Sequence, residues 1–273
     1  MTRSIWFVAD DFGLSPAVDR GILDLLRAGR LSGTGCMTLF PEWEVEARKL
    51  AEIPASSSIG IHITLTDQKS LAGVSKLSPS GKLPSLRALV GAIASGRIDD
   101  ASIHAEIAAQ YDAFRQSVGR EPDYLDGHQH VHFLPPVRRW LKKLATSHAG
   151  PLPWLRGAPE AARLATGSFA KIATVRALAR RFEPALRSAG FAVKGPLSGF
   201  YDWKRPDGFE PAVRTGLAGL PDGSVFMCHP GHVDALLAQR DPLTAAREAE
   251  VRFLGSDAFR ALLDTHQVRI AAT

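Results

Sequence analysis

The 273-residue chain is poor in cysteine, tyrosine and methionine, with two, three and three respectively. Cys36 and Cys228 lie far apart, and the first apolar run, Ile5 to Ala9, is too short and too soon followed by Asp10-Asp11 to be a secretory leader. Two buried free thiols and a cytoplasmic location are therefore expected, and a disulfide framework is not. No apolar run approaches the roughly 18 residues of a membrane-spanning helix. Dense basic blocks are also missing. Arg138-Arg139 with Lys142-Lys143, and Arg180-Arg181, read as solvated helix faces, so the net charge of +5 and pI near 9.4 suit an anionic substrate or surface better than nucleic acid. There is no Gly-rich phosphate loop, no Gly-x-Ser-x-Gly elbow and no Cys-x-x-Cys pair.

What the chain does have is a hydrophobic content of 45%, enough for one large core. Short apolar runs alternate with helical patterns. Strands are expected over 5–9, 34–39, 58–65, 123–130, 152–155, 224–227 and 268–271. Helices are expected from Ser15-Pro16 to about Gly29 and over 42–53, 86–95, 101–118, 135–147, 168–189, 211–218, 242–254 and 256–265. Residues 66–85, rich in Gly, Pro, Ser and Lys, interrupt the rhythm and read as a long functional loop. Strand–helix alternation over residues 1–273 without a linker predicts an α/β fold. It would be a single irregular (β/α) barrel domain of seven to eight strand–helix units, with its active site at the C-terminal ends of the strands.

Four motifs fall at those ends. Asp126-Gly127-His128-Gln129-His130-Val131-His132 places three of the nine histidines within five residues. On a strand, alternation puts His128, His130 and His132 on one face, where imidazoles can hold a metal or line a pocket, with Asp126 anchoring one of them. Asp10-Asp11 offers two carboxylates that cannot point the same way; one can bind a metal while the other takes a proton, or the pair can cap the next helix. His62, in Gly60-Ile61-His62-Ile63, is a candidate ligand or a hydrogen-bonded core histidine. In Cys228-His229-Pro230-Gly231-His232, either His229 or His232 can face the pocket as a general acid. Arg156 can pair with Asp10 and hold it ionised, and Tyr201 and Trp203 can stack on a sugar ring or simply pack.

Taken together, these motifs, in this order and spacing, resemble the YdjC-like carbohydrate deacetylases, a family that includes chitooligosaccharide and hopanoid-biosynthesis deacetylases. The resemblance implies an irregular (β/α) barrel that removes acetyl groups from N-acetylated amino sugars, which would be the partner in solution, with homodimers common. It implies one divalent metal ion (Mg or Zn, with Co or Ni as further options) held by Asp11, His62 and His128. Asp10 would be the general base and His229 the general acid, with His130, His132, Arg156, Tyr201, Trp203 and His232 toward the substrate. Two departures from the family pattern concern the pocket lining: Gln129 within the histidine motif, and His232 where an aromatic residue is usual. The rival readings are another metal-dependent ester or phosphoester hydrolase on the same barrel, a non-catalytic sugar-binding module, and a structural metal protein.

Overall fold

A computed structural model describes residues 2–159 and 169–273. Its sheet is parallel throughout and centres on β1 (Arg3–Phe12). β2 (Gly33–Cys36), β3 (Ser58–Ile63), β4 (Tyr124–Gly127), β5 (Trp154–Arg156) and β6 (Val193–Lys194) follow on one side. β8 (Val225–Cys228) and then β7 (Leu197–Ser198) lie on the other. The two edges, β6 and β7, are separated in the chain only by Gly195 and Pro196. One bent segment thus supplies both edges, and the sheet curls into a nearly closed barrel of the expected class. β9 (Val268–Ile270) pairs with the first residues of β1 outside this ring.

Side-chain alternation divides each strand between two cores. Ile5, Phe7 and Ala9 of β1, Ile59, Ile61 and Ile63 of β3, and Phe226 of β8 join the large cluster under the helices. Trp6, Val8, Tyr124, Trp154, Val225 and Met227 form a smaller cluster. The next residue of each inward row is polar: Asp10, Asp126, Arg156 and His229. The strand registers pair His62 with Asp126 and Ala9 with Cys228. Period-2 geometry in parallel strands therefore delivers these side chains to one layer at the C-terminal mouth.

Helix α1 (Pro16–Arg27) begins as expected: Ser15 Oγ accepts from the Val18 N–H and Pro16 occupies the first turn. Its apolar stripe, Val18, Ile22, Leu25 and Leu26, is buried, each side chain contributing about 1.5–3 kcal/mol relative to exposure. Helices α2 (Trp43–Arg48), α3 (Leu86–Ala94), α4 (Asp100–Val118) and α5 (Pro135–Ser147) also match expectation, the last turn of the second being a 3-10 turn over Lys49–Glu52. Residues 66–85 form the long loop. Buried Glu106 of α4 pins it by accepting from Ser70 Oγ at 2.6 Å and from the N–H groups of Leu71 and Ala72 at 3.1 and 3.0 Å.

Several expectations need correction. The strand predicted over 123–130 ends at Gly127, and His128–Phe133 is a 3-10 turn with Gln129 and His130 in the left-handed region (φ 52° and 62°). The long helix predicted over 168–189 begins outside the described residues and divides into α6 (Phe169–Ala179) and α7 (Phe182–Arg187). β6 and β7, two residues each, are too short for a periodicity signal and were not expected. Beyond α8 (Phe209–Gly219), the C-terminal part holds α9 (Ala235–Arg240), which was not expected, before α10 (Ala245–Leu254) and α11 (Asp257–Thr265). Both cysteines are free and buried, as expected, and burial pushes both thiols well up. Among the described residues no helix is long and apolar enough to cross a membrane.

Candidate active site

Asp11 breaks the alternation of β1. Its φ is 69°, a conformation that Asp tolerates better than most residues, and the β1–β2 register shifts between Ala9 and Phe12. This local kink lets two adjacent carboxylates serve one site. Asp11 Oδ1 lies 3.1 Å from His128 Nδ1 and 3.4 Å from His62 Nε2. Asp10 turns the other way, accepting from both guanidinium ends of Arg156 at 2.8 and 2.5 Å, with His229 Nε2 3.7 Å from its Oδ2.

Asp11, His62 and His128 present one ligand atom each, all within 4.8 Å of one another. The ligand atoms of Asp10, His62 and Asp126 lie equally close together. That second set is a poor cation site, because the Arg156 guanidinium already bridges Asp10 and Asp126. His62 also directs Nδ1 to Asp126 Oδ1 at 2.6 Å, which leaves Nε2 facing Asp11. One carboxylate and two imidazoles with a carboxylate behind one of them is a common arrangement for a divalent ion. Charge agrees. With both imidazoles neutral, as ligands must be, ionised Asp10, Asp11, Asp126 and Asp241 outnumber Arg156 and Arg247 by two negative charges, which a divalent cation balances. The same demand appears in His62: burial opposes its charged form, yet Asp126, Asp10 and Asp11 raise its pKa to about 10.

The two aspartates of β1 differ in proton affinity. Burial raises Asp10, and Arg156 offsets only part of the effect. The expected Asp10–Arg156 pair is present, but the net direction is upward rather than toward a more firmly ionised group. Burial also acts on Asp11, but Arg247 and the two imidazoles overcome it and hold its carboxyl well below the usual range. Asp126 is likewise lowered against burial, by Arg156 and His62.

The remaining candidates are distributed unevenly. The left-handed turn after Gly127 separates the three histidines. His128 faces Asp11, while His130 packs 5.4 Å from the Phe200 ring. His132 is buried between Phe133 and Phe182 at 3.9 and 5.6 Å. Burial takes its pKa to about 3, so it is a neutral core histidine. Tyr201 is also buried, and its hydroxyl donates to Glu250 Oε1 at 2.5 Å. Trp203 meets the His229 ring at 4.5 Å, nearly edge-on. His232 sits beside α1, its N–H donating to Ala17 O at 3.2 Å, while His229 is the member of that motif beside Asp10.

Arg247, Asp241 and Glu250 also reach the site and stand in no recognisable motif of the sequence. Arg247 Nη2 donates to Asp11 Oδ2 at 2.6 Å and to Asp241 Oδ2 at 2.5 Å. Glu250 Oε2 accepts from the His229 backbone N–H at 2.5 Å; burial raises its pKa to about 7, against the Tyr201 and His229 hydrogen bonds and Arg247. The available signal was their position: Arg247 and Glu250 fall on the buried stripe of α10 with Ala246 and Leu254.

A carbohydrate deacetylase of Enterococcus faecalis is 26% identical over 285 residues, covering 96% of this chain and 94% of its own. A chitooligosaccharide deacetylase of Yersinia pestis is 32% identical over 145 residues, 53% of this chain and 56% of that protein, so the match spans little more than half of its length. A crystal structure from Enterococcus faecalis, described as a candidate cellobiose-phosphate cleavage protein, shares the fold with a TM-score of 0.75 at 19% identity, over 99% of this chain and 97% of that one. The YdjC-like protein profile matches residues 4–265, and the chain belongs to that family.

Proposed function

We propose that this chain is a metal-dependent carbohydrate N-deacetylase that hydrolyses the acetyl amide of an N-acetylated amino sugar to acetate and the free amine. The observation that carries the reading is the divergence of Asp10 and Asp11, one toward Arg156 and His229 and the other toward two imidazoles. A binding module has no need of a base beside its ligand set. The carbohydrate and chitooligosaccharide deacetylases among the relatives supply the substrate class.

Asp11, His62 and His128 would hold the ion. When bound, a divalent metal polarises the acetyl carbonyl and lowers the pKa of water. Imidazole donors favour Zn²⁺, Co²⁺ or Ni²⁺ over Mg²⁺, which prefers oxygen. Asp10 removes the proton of the attacking water; its raised pKa suits a base that must accept it. Arg156 fixes both Asp10 oxygens. His229, with Nε2 3.7 Å from Asp10 Oδ2, protonates the departing sugar amine, with Trp203 limiting the freedom of its ring.

The test is acetate release from N,N′-diacetylchitobiose and from N-acetylglucosamine. Metal-stripped enzyme is supplied with Zn²⁺, Co²⁺, Ni²⁺ or Mg²⁺ in turn. Release that needs an ion, disappears in Asp11→Ala with loss of ion binding, and disappears in Asp10→Asn with ion binding retained is expected. Loss of the ion in Asp10→Asn would reverse the two roles. Ester or phosphoester turnover with no amide turnover would move the protein to the rival hydrolase class.

A further inference from the structure

We infer that Arg247 is the positioning residue of this site, which presents a single oxygen of Asp11 to the ion and locks the His229 turn to the same anchor. The inference rests on the metal reading of Asp11, His62 and His128 proposed above. Arg247 is 2% exposed and comes from α10, far in sequence from β1. Its Nη2 takes Asp11 Oδ2 at 2.6 Å, while Asp11 Oδ1 faces His128 and His62. The same nitrogen reaches Asp241 Oδ2 at 2.5 Å, and Nη1 approaches His229 O at 3.5 Å. The carbonyl oxygen of Arg247 accepts from the Gly231 N–H at 3.2 Å, on the other side of the same turn.

One residue therefore ties the end of β1 to the chain leaving β8, the two places from which ligand and acid emerge. Stability alone is a weak reason for it. A buried guanidinium carries a desolvation cost that its ion pairs need not recover, and Arg247 Nε has no hydrogen-bond partner among the described residues. Asp241 has a second task that fits the same purpose. Its Oδ1 accepts from the Leu243 N–H at 2.8 Å, which fixes the carboxylate that aims the guanidinium. Asp11 needs such an aim because its left-handed backbone is not a conformation its own side chain enforces. Nη2 carries two N–H donors in fixed directions, one for Asp11 Oδ2 and one for Asp241 Oδ2, whereas the donors of a lysine ammonium rotate freely.

The experiment is calorimetric titration of the metal-stripped full chain with Zn²⁺, in wild type, Arg247→Lys and Arg247→Met, with no sugar present. Both variants should bind Zn²⁺ about 10- to 100-fold more weakly, the usual consequence of losing a group that orients a ligand. With diacetylchitobiose at saturating Zn²⁺, kcat should fall more than KM rises. Wild-type affinity in Arg247→Lys would show that charge alone suffices and overturn the positioning role; wild-type affinity in Arg247→Met would overturn any role. Where either variant does not fold, Asp241→Asn at the less buried end of the fork replaces it. A loss of about threefold or more is expected there, and unchanged affinity overturns the inference. Wild-type protein that binds no Zn²⁺ would overturn the metal reading and this inference together. Wild-type binding without deacetylation would leave the inference standing.

Discussion

The Nδ1–H of His62 donates to Asp126 Oδ1 at 2.6 Å, and this bond fixes which imidazole nitrogen faces Asp11. Asp126 is held below the usual carboxylate range, so it accepts and the ring nitrogen carries the proton. Asp126→Asn keeps the shape but weakens the acceptor and frees the tautomer. Zn²⁺ affinity, read by chelator competition, should drop about 10- to 100-fold. Unchanged affinity would show that His62 is oriented by packing alone.

Ion binding should also stabilise the fold. At a free concentration 100 times Kd, a ligand specific to the native state adds about 2.7 kcal/mol. For a chain of this size that raises Tm by on the order of 5–10 °C. Differential scanning calorimetry of stripped protein with and without Zn²⁺ measures the shift, and Asp11→Ala should abolish it. A shift that survives in Asp11→Ala would place the ion elsewhere.

Glu250 makes stability depend on pH. Its folded pKa of about 7 lies above the ordinary value of 4.5 because of burial, partly offset by its hydrogen bonds. Between those values the native carboxyl keeps a proton that the unfolded chain has released. The contribution is therefore complete below about pH 4.5 and is lost as pH rises through about 7, roughly 3 kcal/mol in all. Urea midpoints at pH 5 and pH 8, at one fixed metal concentration, should differ less in Glu250→Gln than in wild type. The comparison uses the slope because Gln supplies one oxygen where Glu250 accepts from both Tyr201 and His229. An equal slope in the two proteins would assign the titration to another group.

Gly60 leaves room for an aromatic ring inside the barrel. A Cβ there would lie 2.4 Å from Tyr124 Cδ1. The buried Tyr124 ring cannot retreat, since it is stacked on Trp154 at 4.4 Å. Gly60→Ala should cost about 1–3 kcal/mol by overpacking, read as a fall in Tm of several degrees. An unchanged Tm would mean that β3 can shift to accept the methyl group.

Much of this protein follows from short-range order in the chain. Strand–helix alternation announces a parallel sheet, and the period-2 pattern of β1, β3 and β8 explains why the motifs collect at one mouth. Asp11, His62, His128 and His229 are legible for that reason: each falls at or just beyond the end of an apolar run. β6 and β7 are not legible, because two residues carry no period, although together they supply both edges of the sheet.

What only the tertiary structure decides are directions and distant partners. Alternation alone would send Asp10 and Asp11 to opposite faces and gather His128, His130 and His132 on one. Left-handed residues at Asp11, Gln129 and His130 reverse both outcomes, and such backbone is held by surrounding contacts rather than by local preference. Arg247 reaches Asp11 across 236 positions of sequence. On its own helix it reads as one more arginine; its role exists only because the barrel returns α10 to the end of β1. Local sequence determined which groups stand at the mouth of the barrel. Long-range packing, which alone can hold charges without water, decided where they point and what they hold.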